Sequence, residues 1–582
     1  MVSDTNRYIA RVVPDVTGLD KEFDYLIPAD LGAPVVVGTI VRVELHGRRI
    51  GGWVRSISAV DGVDLAEHRA LKPIAKVTGH GPAPELFELA DWASVRWAAR
   101  RIRPFLVTAG PSRAVRTLPL DRRSGMAPSP QSPATTAMLT AGGGVLRLPP
   151  RADVMPSVLS VASMGPALVV VPEHGDATLL GTRLRRAGLS VASIPGEWAA
   201  AAGGVDVVIG TRSAAWAPCP GLAAAIVIDE HDEALQEERT PTWHARDVVV
   251  ERCRRAGVPC VLVSPVPTLV AVEEDSGAGG VVSPPAARER AGWPRVVVVD
   301  RSDDDPWKRS LVTSALIERI RNPESTVVCV SNITGRARVL ACRGCRSLIR
   351  CEQCDAAVGL GDDGRLVCRR CAAVRPAVCQ ACGAGRFANL RPGVTRLREE
   401  LEAAAARPVV AVSGADEEPP PSAGIYVGTE AVLHRVRSAD VVAFLEFDSE
   451  MLAPRFRAAE QALALIVRAG RIAPEVLVQT FSPGHDVLAA ASAGDPARIL
   501  DGERTRRQML GLPPYGALAV VSGSGSDVVV EQLVAAEVDV GGDGVDRYLV
   551  RAADWTTLGR ALNATERPTG SRVRVEVDPA RV

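Results

Sequence analysis

The chain is predicted to be a multidomain α/β protein built on two parallel sheets, and three observations predict it. Its 582 residues exceed what one hydrophobic core can organise. Through its middle, short β-branched runs alternate with helical segments, the pattern of strand–helix–strand units. Eight of its twelve cysteines stand as four C-x-x-C pairs in a stretch that interrupts this rhythm.

The elements follow in chain order. Residues 8–60 read as β-rich, and Val41-Arg42-Val43-Glu44-Leu45 is the clearest period-two stretch. Residues 85–103 read as helical, with Leu86, Leu89 and Trp92 at helical spacing and a basic end at Arg100, Arg101 and Arg103. Residues 118–133, rich in Pro, Ser and Arg, read as a linker. Buried-strand runs follow at 167–171, 205–209, 223–228, 261–264 and 296–299. A second α/β stretch carries strand candidates at 327–330, 409–412, 425–427 and 441–446. The pattern weakens after Pro483, and Leu512-Pro513-Pro514-Tyr515 leads into a last small α+β domain. The expected division is 1–115 for the amino-terminal domain, 116–136 for the linker and 137–310 for the first lobe. The second lobe takes 311–341 and 386–490, the cysteine module 342–385, and the carboxy-terminal domain 491–582.

Formal net charge is zero and the pI is about 7.1, so no global basic field marks a nucleic-acid partner, although a local basic groove is compatible with that balance. Residues 1–11 show no apolar signal-peptide core, and no run of apolar residues is long enough to span a bilayer. A soluble, cytoplasmic, monomeric protein without a membrane partner is expected.

In a reducing compartment the cysteine pairs read as metal ligands rather than disulfides. They are Cys342/Cys345, Cys351/Cys354, Cys368/Cys371 and Cys379/Cys382. Two pairs complete one tetrahedral S₄ site, so four pairs predict two Zn²⁺ ions. Four thiolates leave no position for a catalytic water, so the metal is structural. Which pairs share an ion is not settled by the spacing.

An apolar strand running into Asp229-Glu230-His231-Asp232 has the form of a Walker B element, in which Asp holds Mg²⁺ and Glu orients a water. Such a site also needs a glycine-rich loop with a lysine. The loop candidate, Gly142-Gly143-Gly144, has none. Only four of the 68 basic residues are lysines, and none lies between Lys76 and Lys308. Arginine does not replace a compact ammonium in a phosphate nest. ATP and Mg²⁺ are therefore not expected as cofactors, and no catalytic residue is assigned. His231, His244 and Asp247 are expected to be satisfied core or helix-cap groups.

These motifs together resemble the PriA family of primosomal replication-restart proteins. Glu22-Phe23-Asp24-Tyr25 and Gly47 are similar to its amino-terminal DNA-binding domain, and Gly210-Thr211-Arg212-Ser213-Ala214 is similar to its GxRSA motif. Asp229-Glu230-His231-Asp232 is one residue short of DEEHD, Trp243-His244-Ala245-Arg246-Asp247 is close to YHARD, and Phe456–Glu460 and Arg468–Arg471 resemble FRAxER and GRAGR. Departures are as plain: Walker A is absent, Ser264-Pro265-Val266 stands for SAT, and Asn332-Ile333-Thr334-Gly335 stands for NRRG.

The resemblance implies two helicase-like (RecA-like) lobes with the cysteine module inserted in the second. It implies nested zinc sites, Cys342, Cys345, Cys379 and Cys382 for one ion and Cys351, Cys354, Cys368 and Cys371 for the other. It implies that Phe23, Asp24, Gly47 and Lys72 meet the 3′ end of a DNA strand, and that Asp229, Glu230, Arg468 and Arg471 form a degenerate nucleotide site. The basic helix end at Arg100, Arg101 and Arg103, and Arg343, Arg346 and Arg350 in the cysteine region, are candidate phosphate contacts. The expected function is binding of branched or forked DNA, with primosome assembly and replicative-helicase loading in a bacterial, nucleoid-associated setting. Primosome and helicase-loading proteins are the implied partners, with single-stranded-DNA-binding protein beside them. The alternative is an ATP-dependent 3′→5′ helicase with an unconventional nucleotide site.

Overall fold

The computed structural model describes residues 7–19, 21–31, 33–60, 71–125, 128–303, 311–331, 340–345, 347–361, 363–368, 370–371, 373–389, 394–414, 420–542, 547–568 and 570–581. Asn332–Gly335 and Arg346, singled out above, lie outside them.

The amino-terminal strands are β1 (Arg7–Pro14), β2 (Phe23–Ile27), β3 (Ile40–Leu45), β4 (Arg48–Val60) and β5 (Lys76–Gly79). They form an antiparallel sheet in the order β2-β1-β4-β3-β5. The period-two stretch behaves as its pattern requires: Val41 and Val43 are buried, Arg42 and Glu44 exposed. His46 and Gly47, with φ of +48° and +77°, close the β3–β4 hairpin in the left-handed conformation that two-residue turns use.

The first parallel sheet contains β6 (Gly143–Arg147), β7 (Ala167–Val170), β8 (Val191–Ile194), β9 (Val207–Gly210), β10 (Ala224–Ile228), β11 (Cys260–Ser264) and β12 (Val281–Val282). Their order is β12-β6-β11-β10-β7-β9-β8. Every residue of β7, β9 and β10 is buried, as expected for strands covered on both faces.

The second parallel sheet begins with β13 (Arg295–Asp300) and β14 (Val327–Val330). The cysteine region then supplies β15 (Leu340–Cys342), β16 (Gly359–Leu360), β17 (Arg365–Val367), β18 (Val374–Pro376) and β19 (Phe387–Asn389) in two small antiparallel sheets. The chain returns through β20 (Val410–Val412), β21 (Ile425–Gly428), β22 (Val441–Phe444) and β23 (Glu475–Thr480), giving the order β13-β23-β22-β14-β21-β20. Residues 295–300, read above as part of the first lobe, belong here: β13 pairs in parallel with β23. A valine run looks the same in either sheet, and its distant partner decides.

The last sheet, β25-β26-β24-β27, is antiparallel and is made of β24 (Ala517–Ser522), β25 (Asp539–Gly542), β26 (Arg547–Ala552) and β27 (Arg574–Val577). Its helix Trp555–Ala564 crosses the helix Glu85–Arg96 so closely that a Cβ on Gly559 would stand 1.8 Å from the Val95 carbonyl oxygen. Only glycine allows that crossing. One apolar core runs through the amino-terminal helices, the first lobe and the carboxy-terminal domain, and includes Leu86, Phe105, Trp216, Val521 and Leu558.

Candidate functional site

The loop leaving a parallel strand at its carboxyl end is where a phosphate nest forms. The glycines 142–144, proposed from sequence as that loop, instead enter β6. Gly143 and Gly144 are the first residues of the strand, and a Cβ on Gly143 would stand 2.3 Å from the Cys260 carbonyl oxygen of β11. Close strand pairing explains these glycines. The loop leaving β6 is residues 148–154, Leu-Pro-Pro-Arg-Ala-Asp-Val. Pro149 and Pro150 have no N–H to offer a phosphate. Asp153 accepts a hydrogen bond from the Met155 amide at 3.0 Å and pairs with Arg183, so a carboxylate already sits at the following helix's first turn.

The acidic quartet after β10 is fully engaged. Asp229, a non-glycine residue with φ of +54°, is held by both guanidinium nitrogens of Arg471, at 2.7 and 2.5 Å. Burial alone would push its carboxyl up; Arg471 outweighs it and holds the group below the usual carboxylate range. Glu230 is completely buried. It accepts from the Thr268 amide at 2.7 Å, the Thr268 hydroxyl at 2.9 Å and Arg246 at 3.2 Å. Three donors and full burial thus enclose this glutamate within the first lobe.

Arg468 lies one turn before Arg471 on the helix Ala458–Ile472. It reaches Asp232, and Glu173 at 2.6 Å. His434 also meets Glu173, at 2.8 Å. The His434 hydrogen bond, working against burial and with Arg468, holds the Glu173 carboxyl down at about 2. Arg151 donates to the Gly470 carbonyl at 2.8 Å, and Pro150 accepts from Arg471 at 3.3 Å. Of the arginines expected to face a nucleotide, Arg471 thus binds the aspartate expected to hold its metal, and Arg468 binds Asp232 and Glu173 beside it. These contacts join the first lobe to the second directly.

His231 and His244 are not a catalytic pair. His231 Nδ1 meets the Ser264 hydroxyl at 2.8 Å, and His244 caps the helix Ala245–Ala256 by accepting from the Arg246 amide at 3.2 Å. Burial, then Arg246, pushes the His244 imidazole down to about 3, so it stays neutral.

The cysteines gather in two groups of four: Cys342, Cys345, Cys379 and Cys382, and Cys351, Cys354, Cys368 and Cys371. Within each group all sulfurs lie within 4.8 Å of one another, and the shortest separations are 3.5 Å. That is too long for S–S bonds, and it brackets the edge of about 3.8 Å that Zn–S bonds of about 2.3 Å give a tetrahedron. Each group could hold one metal ion. The module sits on the second lobe through Ala357, whose amide donates to Leu452 at 2.6 Å, and through Arg370, which donates to the Phe456 carbonyl.

On the amino-terminal sheet, Phe23 turns with Tyr25 and Ile27 toward the domain's apolar core and is half-buried. Asp24 faces the other side and pairs with Arg11 on β1 at 3.0 Å. Lys72 meets Glu44 of β3 at 2.5 Å, both side chains about half exposed (51% and 48%). The Lys72 carbonyl accepts from the Leu26 amide at 3.0 Å, which ties its segment to β2. Gly47 stands at the hairpin tip, with open space where a Cβ would go. Sequence reasoning missed Thr268, Glu173 and His434, because the contacts they make cross between elements or lobes.

A β domain, two parallel lobes sharing a cleft, and a twin-cysteine module define a helicase-like, DNA-handling class of protein. Residues 11–105 match the model of the PriA 3′ DNA-binding domain. The probable replication restart protein PriA of Mycobacterium tuberculosis (strain ATCC 25618 / H37Rv) is 30% identical over 575 aligned positions, covering 88% of this chain and 86% of that one. That of Mycobacterium leprae (strain TN) is 26% identical over 97% of this chain and 99% of its own length. The chain belongs to the replication restart protein PriA family. Among solved structures, S. cerevisiae Dbp5 bound to RNA and ADP BeF3 aligns with 10% identity and a TM-score of 0.35, covering 65% of this chain and 94% of that one. That likeness is too slight to compare sites.

Proposed function

We propose that this protein recognises abandoned or stalled replication forks and promotes primosome assembly and replicative-helicase loading without a motor of its own. One observation carries the second half: both carboxylates of the Walker B position are spent on protein partners, Asp229 on Arg471 and Glu230 on Thr268 and Arg246. An ATPase needs these groups for Mg²⁺ and water. Family membership and the match over residues 11–105 support the first half. In this reading Phe23 stacks on the terminal base of a 3′ end, Asp24 accepts from its hydroxyl and Lys72 leaves Glu44 for a phosphate. Each cysteine group holds one structural Zn²⁺. The setting is the bacterial cytoplasm, with single-stranded-DNA-binding and helicase-loading proteins as partners of a monomer.

Single-turnover ATP hydrolysis with forked DNA tests the motor: no DNA-stimulated turnover is expected. Robust hydrolysis that disappears in Asp229→Ala would overturn this reading in favour of a 3′→5′ helicase. Fork binding by Phe23→Ala and Lys72→Ala tests the strand-end contact, and both are expected to lose the preference for a free 3′ end.

A further inference from the structure

A cavity of about 900 Å³ opens between the two lobes. Its walls include Glu233 and Glu237 of the first lobe, Glu430 and Arg468 of the second, and Ala580 and Arg581 of the segment that follows β27. That segment belongs to the carboxy-terminal domain, yet it touches both lobes within two residues. The Ala580 carbonyl accepts from Gln461 of the second lobe at 2.8 Å. The Arg581 guanidinium donates to Glu233 of the first lobe at 2.9 Å and to Glu430 of the second at 3.3 Å. Gln461 completes the ring by donating to Glu233 at 2.5 Å. Burial raises the Glu233 carboxyl, Arg581 opposes that rise, and Glu430 adds to it. The two acids thus repel one another across the lobes, and a cation between them turns that repulsion into a bridge.

The helix Ala458–Ile472 sets the geometry. Gln461 and Arg468 lie two turns apart on one face, and Arg471 stands one turn further on. Arg471 and Arg468 hold the acids that follow β10 at one end of this face. Gln461 holds Ala580 and Glu233 at the other, about 15 Å away at the rise of an α-helix. The lobes are therefore fastened at two places, and the two differ in access. The Arg468 and Arg471 side chains are 20% and 33% exposed, whereas Arg581 is 54% exposed. Solvent and any partner reach the Arg581 fastening first.

We propose that residues 578–581 form a strap: Arg581, bridging Glu233 and Glu430, holds the lobes at their present spacing, and its release opens the cavity. With the strap released, the helix Ala458–Ile472 stays fixed to the first lobe only at its arginine end, and the lobes part from the Gln461 side. The carboxy-terminal domain then governs whether the lobes are free to move, and it does so with no nucleic acid bound.

The test is hydrogen exchange followed by mass spectrometry on the full chain without DNA. Arg581→Glu sets a third carboxylate against Glu233 and Glu430. Amides of residues 229–236 and of the first turns of the helix Ala458–Ile472 are expected to exchange several-fold faster, while β7 and β22 keep their protection. Unchanged exchange at both cavity walls overturns the proposal. So does a rise confined to residues 517–577, which marks a segment that anchors only its own domain. Should Arg581→Glu fail to fold, Arg581→Gln at the same half-exposed position gives the same readout. A double-mutant cycle isolates the bridge. Glu430→Gln is expected to loosen the walls by itself and to add nothing in the Arg581→Gln background, because its partner is already gone. Additive effects of the two substitutions overturn the bridging role of Arg581.

Discussion

Asp229 shows how a residue at a motif position can be held by the fold itself. Its carboxylate, placed by β10 at the carboxyl edge of the sheet, is nearly buried and depends on Arg471 for charge balance. Arg471→Ala leaves that charge without its partner. Breaking a buried pair costs about 3–5 kcal/mol, and since Arg471 is one-third exposed the lower end, about 3 kcal/mol, is expected in chemical denaturation. Asp229→Asn added to Arg471→Ala should recover part of it. A second carboxyl reports on pH. Burial, opposed by Arg246 and aided by Asp247, raises Asp275 from its ordinary 3.8 to about 7. The folded state therefore holds a proton that the unfolded chain has released, and the stability this gives is complete below pH 3.8 and lost as pH rises through about 7. Asp275→Asn avoids that loss. Its melting temperature should gain on the wild type between pH 5 and 7 and keep a constant lead above, and a gap independent of pH would contradict the assignment.

At the scale of elements, the cysteine module packs around its two groups of four cysteines, with Leu340, Ile349, Val358 and Leu366 as its few large buried apolar residues. Metal content by mass spectrometry should be two Zn²⁺ per chain. Cys351→Ser should remove one, and chelation should raise hydrogen exchange across 340–389 while the parallel sheets stay protected. How far such elements can be read from sequence depends on how local their cause is. The valine-rich runs announced β7, β10, β11, β14 and β22 to within a residue or two, because a buried parallel strand needs continuous apolar side chains. β6 was hidden: its opening glycines look like a loop, and only pairing with β11 makes them a strand. β8, Val191-Ala192-Ser193-Ile194, lacks the continuous β-branched run of the others and did not register. The acidic quartet and the arginines of the helix Ala458–Ile472 were visible as separate motifs. Their pairing across 242 residues was not, because no local pattern encodes which distant partner fills a missing phosphate's place.

For the whole molecule, Asp578 is where the domains are tied. It is buried and has φ of +51°. Its carboxylate accepts from Arg457 of the second lobe at 2.7 Å and lies 3.5 Å from Arg96 of the amino-terminal helix. Its carbonyl accepts from Gln236 of the first lobe at 2.6 Å. Arg96 in turn pairs with Asp247 at 3.0 Å and lies 3.7 Å over the Trp555 ring. Asp578→Ala should leave the buried Arg96 and the partly buried Arg457 each short of an acceptor and split a single calorimetric transition into two, with the carboxy-terminal domain melting first. Asp578→Asn, which keeps an acceptor oxygen, should retain most of the coupling.

The arginine-bridged cleft has a consequence for how such a protein is regulated. Lobes drawn together by a nucleotide part when the nucleotide is spent, so the occupancy of a motor follows the cell's energy charge. Here Arg471, Arg468 and Arg151 draw the lobes together with side chains of the chain itself. Their contact answers to ionic strength and to whatever competes for guanidinium groups. Under the function proposed above, a fork held by this chain stays held through starvation, and its release comes from the arriving partner.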